Sequence, residues 1–429
     1  MKALNKSRGS IVLAAMLFAV SSVSIANAVT KIDGAEEKTN PNRWQATTQP
    51  SEGTVIISGA DDATGSPLTN RNVYGGYAEN GENVLNNKII IRDKAEWKHN
   101  NRSLQAAAST GTSTTTTGPR LANNNSIYIT GGSTINSSMW AARVNDGSPA
   151  SINYNTTIIE DSTITHTQLR GAILYPAKST VDYNTLYVKN STMFGSGDSF
   201  EITGGFAQDV PTSENKADLV GTASYNQLIY DGVTTYTGTT KKTTSKYLHA
   251  GVARQGEANN NRIYVRDLNK DADDSAIATN VVGGDTWRPK SGGAEGNIAV
   301  AVGESKIANI YGGAVGFKAD DRVTNISKGA NKNLVILDLS GDGKVTENVY
   351  GGYIFDTSLG TTTGNAVYFL NGNVGGAVVG GNKEKTENTL ILGNSTSTWG
   401  TRKAGQISNF ENLNFNVLQE GDKSKAVLS

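Results

Sequence analysis

The chain has 429 residues, with 48 glycines, 8 prolines and no cysteine. Its 39 basic and 39 acidic residues cancel, which leaves no electrostatic case for nucleic-acid binding. The length is enough for one large core or for two or three domains, and without disulfides an extensive hydrogen-bonded core has to hold the fold.

The first 28 residues have the three-part pattern of a secretory signal. Basic residues fall within positions 1–8, residues 11–20 (IVLAAMLFAV) are apolar, and residues 26–28 (Ala-Asn-Ala) match a small-x-small cleavage site. The alternative, a membrane anchor, would need about 20 apolar residues, and this run is shorter. We therefore predict an exported protein with no membrane span in this chain.

Residues 29–53 are polar and weakly patterned. A stack of strands needs its ends covered against edge pairing, so this segment is predicted to be an N-terminal polar segment or cap.

From residue 54 onward a short pattern recurs: asparagine, any residue, apolar, any residue, apolar. Its β-branched, period-two character is typical of strands rather than helices, and the variable spacing of 23 to 42 residues marks surface insertions. The copies begin at Asn87, Asn125, Asn155, Asn184, Asn226, Asn261, Asn297, Asn333, Asn365 and Asn388.

A second motif with paired glycines lies between these copies. The hexapeptide NVYGGY occurs twice, at residues 72–77 and 348–353, and the segments WAARV, RGAIL and HAGVA at 140–144, 170–174 and 249–253 are weaker relatives. Glycine pairs suit sharp corners or close backbone approach, so we expect Gly351 and Gly352 at a tight corner.

The two motifs together predict an all-β protein, a parallel β-solenoid of about ten irregular coils over residues 54–415. Apolar residues would fill the interior, and each asparagine would hydrogen-bond its equivalent one coil away. The alternative is an array of β-sandwiches, for which turn signals every 8–12 residues are expected.

Two polar segments are predicted to be loops between coils. They are residues 103–119 (SLQAAASTGTSTTTTGP) and residues 234–247. Valine at both Gly111 and Gly118 is therefore expected to cost under about 1 kcal/mol.

Residues 338–349 (DLSGDGKVTENV) place Asp338, Ser340 and Asp342 at positions 1, 3 and 5 of an EF-hand-like calcium loop. Position 12 is Val349, where a bidentate carboxylate is needed, and the segment runs into a predicted strand instead of a helix. We favour a solenoid turn over a calcium site.

Other candidate chemistry is sparse. The pairs Asp61-Asp62, Asp273-Asp274 and Asp320-Asp321 are interpreted as solvated turns, because adjacent side chains in a strand point to opposite faces and cannot flank a scissile bond. Histidines 99, 166 and 249 lack metal-ligand spacing. Tryptophans 140, 287 and 399 are either sugar platforms or core residues, and we favour the core. We expect no catalytic residues, no cofactor and no metal.

The chain resembles the passenger domains of bacterial autotransporters (type V secretion). The resemblance rests on the recurring YGG and Asn-x-Val-x-Ile segments, the absence of cysteine and the export signal, and residues 407–415 (ISNFENLNF) are similar to the segment that often closes such passengers. It implies a right-handed parallel β-helix and an adhesin-like protein at the cell surface or outer membrane, or outside the cell. Its partner would be a ligand on a host or bacterial surface, or another copy of itself.

The sequence departs from that family after Phe415, where only a 14-residue tail (416–429) remains and no β-barrel translocator is expected; a periplasmic location would follow. The predicted function is non-enzymatic cell–cell or cell–surface attachment. The alternative is a β-helix polysaccharide lyase or hydrolase.

Overall fold

A computed structural model describes residues 31–39, 42–46, 50–59, 71–111, 120–145, 149–165, 168–175, 179–195, 201–207, 221–237, 244, 247–254, 256–287, 292–316, 328–355, 360–393 and 402–415. The predicted signal sequence and the C-terminal tail lie outside them. Regular structure in the described part is almost entirely strand, with one 3₁₀ turn at Asp274–Ala276, and this confirms the all-β class.

The strands are numbered in chain order. The first eleven are Lys31–Asp33 (β1), Ala35–Thr39 (β2), Asn42–Ala46 (β3), Thr54–Ser58 (β4), Asn72–Ala78 (β5), Lys88–Arg92 (β6), Glu96–Ser109 (β7), Arg120–Leu121 (β8), Ser126–Ile129 (β9), Thr134–Val144 (β10) and Ala150–Asn153 (β11). The next eleven are Thr156–Glu160 (β12), Thr163–Thr165 (β13), Gln168–Leu174 (β14), Thr180–Asp182 (β15), Thr185–Lys189 (β16), Thr192–Gly195 (β17), Glu201–Ala207 (β18), Gln227–Asp231 (β19), Thr234–Thr237 (β20), Tyr247–Ala253 (β21) and Arg262–Arg266 (β22). The last eleven are Asn280–Thr286 (β23), Ile298–Gly303 (β24), Lys306–Ile307 (β25), Asn309–Val315 (β26), Leu334–Leu339 (β27), Lys344–Val345 (β28), Val349–Ile354 (β29), Ala366–Gly381 (β30), Thr389–Leu392 (β31), Arg402–Ser408 (β32) and Asn412–Phe415 (β33).

The strands that follow the repeated asparagines stack in parallel in one long sheet, the asparagine sheet. Ala299 of β24 pairs with Val335 of β27, so the predicted parallel pairing of the strands after Asn297 and Asn333 is confirmed. At the N-terminal edge, β1 pairs antiparallel with β4. The members of the sheet are β4, β6, β9, β12, β16, β19, β22, β24, β27, the first part of β30, β31 and β33.

The segments with paired glycines form a second parallel stack, the glycine sheet. The weaker relatives lie in the same register, because Ala142 of β10 pairs with Ala172 of β14, which pairs with Gly205 of β18. The N-terminal hairpin of β2 and β3 joins this sheet through parallel pairing of β3 with β5. Its members are β3, β5, β7, β10, β14, β18, β21, β23, β26, β29, the last part of β30 and β32.

The remaining strands complete each coil. Short parallel strands such as β13, β17 and β20 lie between the two main sheets along the chain, and β8, β11 and β15 form a separate three-stranded sheet on the return to the asparagine sheet. The chain is therefore a parallel β-solenoid, as predicted.

Most strands of the glycine sheet cross from the main apolar cluster to a second one, as β5, β7, β10, β14, β18 and β21 do, or to a further one, as β26 and β29 do. In β10, Ala141 belongs to the main cluster, which contains Trp97 and Ile135, whereas the next residue, Ala142, belongs to a second cluster with Ile152. Two consecutive residues can face two interiors only if the strand bends between them, since side chains otherwise alternate. The solenoid therefore has two cores in cross-section.

A buried asparagine ladder runs between the two cores. Each ladder asparagine donates its side-chain amide to the Oδ1 of the ladder asparagine in the next coil, at 2.9–3.2 Å. That Oδ1 also accepts from the backbone N–H of the same donor residue. The predicted hydrogen bonding between equivalent asparagines is confirmed. The ladder residues are at most 1% exposed. Its members are Asn87, Asn125, Asn155, Asn184, Asn226, Asn261, Asn297, Asn333, Asn365 and Asn388.

The paired glycines make room for this ladder. A Cβ on Gly313 would lie 2.6 Å from the side chain of Asn333, and a Cβ on Gly284 would lie 2.3 Å from that of Asn297. Gly351 and Gly352 lie inside β29, and neither has a positive φ. The expected close approach of the backbone to its neighbours is therefore found, but the expected tight corner with positive φ is not. The hexapeptide repeats because each bend has to pass an asparagine side chain.

Two predicted loops are wrong in part. Residues 103–109 belong to β7, and the buried Ala106 and Ala107 take the place of a glycine pair, which made this strand hard to recognise. Likewise, Thr234–Thr237 form β20 and Tyr247 begins β21. Residues 112–119 lie outside the described part of the chain.

A second, shorter hydrogen-bonded ladder is formed by residues that stand two positions before the ladder asparagines in the sequence. One of its members is an acid, Asp182. The Oδ1 of Asn153 accepts from the backbone N–H of Asp182 at 3.1 Å, and the Oδ1 of Asp182 accepts from that of Ser224 at 2.8 Å. Burial raises the pKa of Asp182 from 3.8 to about 6. Below pH 3.8 the carboxyl is protonated in both states, and as the pH rises towards 6 the unfolded chain ionises first, so stability falls.

We therefore expect Asp182→Asn to stabilise the protein at pH 8, because asparagine accepts the same N–H without a buried charge. The shift of about two units corresponds to roughly 3 kcal/mol, which partial exposure reduces to about 1–2 kcal/mol. Urea unfolding at pH 8 and pH 4 measures the effect, which should shrink at pH 4. Asp161→Asn, in an exposed turn, is the control. A gain that is equal at both pH values would contradict this explanation.

Candidate functional site

The bend of the glycine sheet leaves a concave surface on its outer side. In β5, Val73 and Ala78 point to the two cores, so Tyr74 and Tyr77, one residue nearer the glycines, point outward. Near the N-terminal end, outward residues of β5, β7 and β10 line a groove of about 520 Å³. The lining residues are Asn72, Tyr74, Tyr77, Arg102, Ser103, Gln105, Ala108, Thr110, Ser138, Trp140, Arg143 and Asn145.

One wall of the groove combines aromatic rings with an arginine. The rings of Tyr74 and Tyr77 are 4.7 Å apart, and the guanidinium carbon of Arg43 lies 3.9 Å from the centre of the Tyr77 ring. Arg43 also bonds Glu79 at 2.9 Å. The carboxylate holds the guanidinium in place, and the guanidinium packs on the Tyr77 ring, which is half-buried.

The opposite wall is built in the same way. The Arg143 guanidinium lies 4.8 Å from the ring centre of Trp140 and 5.2 Å from that of Tyr175, and its Nε donates to Oδ1 of Asn145 at 2.7 Å. Arg143 is half-buried. A flat cation held between two rings is preorganised for contact with a polar or anionic ligand group.

Amides and hydroxyls line the space between these walls. The Oδ1 of Asn72 accepts from the backbone N–H of Ser103 at 3.0 Å, its Nδ2 donates to the Tyr74 hydroxyl at 3.1 Å, and Gln105 donates to Ser103 Oγ at 2.5 Å. Burial raises the pKa of Tyr74, so its hydroxyl is neutral over the physiological range. The groove thus offers fixed neutral donors and acceptors beside aromatic faces.

The second copy of the hexapeptide builds a similar aromatic surface further along the solenoid. Tyr350 and Tyr353 occupy the same places around their glycines, with ring centres 5.0 Å apart, and Tyr350 stacks on Tyr311 of the previous coil at 5.2 Å. Burial is the main cause of the raised pKa values of all three tyrosines.

Between these two aromatic regions lies a buried pair of titratable groups. Nδ1 of His249, in β21, is 3.5 Å from Oδ2 of Asp285, in β23, and both side chains are 0% exposed. The ring of Trp287 approaches that of His249 edge-on at 6.4 Å. His249 stands just before the bend of β21, at Ala250 and Gly251, and Asp285 stands just after the bend of β23, at Gly283 and Gly284. Both side chains therefore point to the outer side of the glycine sheet, where they meet.

Of the described tryptophans and acidic pairs that were singled out in the sequence, only Trp140 lies in the groove lining. Trp140 and Trp287 are buried, but their apolar cluster lies apart from the two interior cores, and Trp140 also lines the groove, so the predicted assignment to the core holds only in part. Asp273 caps the 3₁₀ turn by accepting from Ser275 at 3.0 Å, and Asp274 bonds Lys344, so this acidic pair is a turn as predicted. Asp61-Asp62, Asp320-Asp321, His166 and Trp399 lie outside the described residues, as does the side chain of His99.

The calcium-like segment is also a turn. The backbone N–H of Gly343 donates to the carbonyl of Ser340 at 2.9 Å between β27 and β28, and Ser340 and Asp342 are exposed. Within the described ranges, no group of three or more histidine or acidic side chains could hold a metal ion.

Comparisons with models of protein families, with curated proteins and with solved structures found no significant match. Among the described residues, no helix has the length and apolar character needed to cross a membrane.

Sequence reasoning missed the groove because it looked for acids, histidines and known motifs. A usable signal was present in the repeat itself. Once the glycine pair is understood as a bend, the residues on either side of it have to point outward in every coil, and Tyr74 and Tyr77 become neighbours across a concave surface.

Proposed function

We propose that this chain is a non-enzymatic, exported, adhesin-like protein, a right-handed parallel β-helix of about ten coils that resembles autotransporter passengers and mediates cell–cell or cell–surface attachment. The groove lined by outward residues of β5, β7 and β10 carries the proposal. Its described lining holds aromatic rings, arginines, amides and hydroxyls but no aspartate or glutamate.

This composition favours binding over hydrolysis. Aromatic faces and a few fixed polar groups are typical of ligand sites, and the proposed ligand class is surface glycan, whose rings have apolar faces and hydroxyl edges. Glycoside hydrolysis needs two carboxyl groups about 5–10 Å apart across the bond. Glu79, whose partner Arg43 packs on the Tyr77 ring of the groove, is already engaged in that salt bridge.

The double variant Tyr77→Ala, Arg143→Ala is expected to lower attachment by at least about tenfold, because anchor residues of this kind dominate binding energies. The measurement is retention of purified protein on immobilised glycans, and adhesion of cells that express the chain compared with cells that do not. Phe415→Ala with Lys403→Ala, which removes an exposed ring and an exposed cation near the C-terminal end, is the matched control.

Two outcomes would overturn this proposal. If cells that express the chain attach to each other and to surfaces no better than cells that do not, the proposed attachment function is wrong. Release of reducing ends or unsaturated products from a polysaccharide panel would instead establish the lyase or hydrolase.

A further inference from the structure

The outer face of the asparagine sheet carries a continuous apolar column. Along each strand the residues one, three and five positions after the ladder asparagine point outward. From Ile90 to Val300 the middle column alternates between aliphatic residues and tyrosine. All of its members are half-exposed. The six central ones, in coil order, are Tyr128, Ile158, Tyr187, Ile229, Tyr264 and Val300.

The column five positions after the asparagines is charged, and its signs have an order. In coil order, this column has one charged residue, the neutral Thr130, four consecutive charged residues, the neutral Val302 and one more charged residue. The signs run positive, neutral, negative, positive, negative, positive, neutral and negative. The charged residues in coil order are Arg92, Glu160, Lys189, Asp231, Arg266 and Asp338.

This order is complementary to its own reverse. We propose that the face binds a second copy of the chain in antiparallel orientation, about a two-fold axis parallel to the strands that passes between β16 and β19. Such an axis keeps each column opposite itself and reverses the coil order. The opposed pairs would be Arg92 with Asp338, Glu160 with Arg266, and Lys189 with Asp231, each formed twice. Within one chain Arg266 already bonds Asp231, so Glu160 and Lys189 of the second copy would extend that ion pair into a network of four charges.

The apolar column is also complementary to itself under this two-fold rotation. Tyr187 is opposed by Ile229, Ile158 by Tyr264, and Tyr128 by Val300, so every tyrosine meets an aliphatic side chain. Large and small residues that alternate in this way can interdigitate between two sheets about 10 Å apart.

Neighbouring registers are unfavourable. If one copy slides by one coil, Lys189 faces its own symmetry mate and Glu160 faces Asp231, or, in the other direction, Lys189 faces Arg266. Parallel packing about the solenoid axis would bring the first and fifth columns together, with Arg262 opposite Arg266. Like charges in contact oppose association at an interface, so the charges select the antiparallel register.

The face is large enough for a stable dimer. Ten strands about 4.8 Å apart, each with five residues of about 3.3 Å, cover roughly 750 Å² per copy. A standard interface buries about 800 Å² per partner. This pairing would supply the cell–cell part of the proposed function, but it uses a different face from the groove and is tested without cells.

Cross-linking tests the register directly, because the chain has no cysteine of its own. In the proposed dimer Thr130 lies opposite Val302 of the second copy. A mixture of a Thr130→Cys chain and a Val302→Cys chain should give a cross-linked dimer with a short bismaleimide, and each chain alone should give at least about tenfold less. Equal cross-linking of the single variants alone would overturn the register.

Charge reversal tests the interface energetically. Arg92→Asp and Asp338→Arg should each weaken self-association, measured by sedimentation equilibrium, by at least about tenfold, and the double variant should restore it to within about threefold. The two residues are seven strands apart, about 34 Å, so rescue requires two chains. Lys94→Asp with Asp342→Arg, in exposed turns, is the matched control. A purified chain that stays monomeric at 100 μM, or a double variant that adds the two losses, would overturn the proposal; melting curves confirm folding.

Discussion

Leucine in place of Asn226 is expected to lower the free energy of unfolding by about 3–5 kcal/mol. Asn226 Oδ1 accepts from both the backbone N–H and the side-chain amide of Asn184 at 3.0 Å, and its own Nδ2 donates to the carbonyl of Val181 at 2.7 Å. Leucine has a similar volume but offers none of these bonds. Each buried polar group left without its partner costs about 1–3 kcal/mol.

The effect should be local at first. In a solenoid each coil contacts mainly its neighbours, so hydrogen-exchange protection should fall in β16 and β22 before it falls in β6 or β31. Denaturant unfolding gives the free energy, and Asn412→Leu, at an exposed position of β33, is the control and should stay within about 0.5 kcal/mol. An Asn226→Leu protein within about 1 kcal/mol of the parent would mean that the ladder contributes little.

The ladder shows which part of the fold the sequence could predict. Asparagine recurs with an apolar, β-branched segment behind it, and both features depend only on local pattern and on stacking, so the parallel sheet and its hydrogen bonds could be predicted. The second core could not. It depends on the strand bending at the glycine pair, and β7 bends in the same way with Ala106 and Ala107 in that place.

The residue before each ladder asparagine shows a second limit. These positions have positive φ, which favours asparagine or glycine, and Asn124 and Gly296 fit that rule. Three consecutive coils instead place tyrosine there, at φ of 58–59°. The exposed rings stack, with centres 5.1 and 4.8 Å apart, and this stacking offsets strain in a way that only neighbouring coils reveal. The tyrosines are Tyr154, Tyr183 and Tyr225.

Gly111 shows the same limit for a glycine. Its loop composition suggested tolerance, but its φ is +79° and a Cβ there would lie 2.3 Å from the carbonyl oxygen of Glu79. The expected cost of under about 1 kcal/mol for valine at this position is therefore wrong. Gly118 lies outside the described residues.

Valine at both Gly351 and Gly352 is expected to destabilise the protein by about 3–6 kcal/mol. A Cβ on Gly351 would lie 2.5 Å from the carbonyl oxygen of Gly380, and one on Gly352 would lie 2.2 Å from that of Ala330 and 2.7 Å from Nδ2 of Asn365. Because neither φ is positive, the whole cost comes from crowding, at about 1–3 kcal/mol for each overpacked site, with loss of strand pairing in addition.

Backbone oxygens cannot rotate away as side chains can, so β29 has to separate from β30 or from the asparagine ladder. Protection from hydrogen exchange should therefore fall at residues 333–339 and 365–370 before it falls at 86–92. Gln406→Val, at an exposed strand position, is the control. Gly352→Ala should cost less than valine, because alanine occupies the equivalent place at Ala107 in β7. Uniform loss of protection along the chain would show instead that all coils unfold as one cooperative core, and the bend at each glycine pair would then not be a local element of stability.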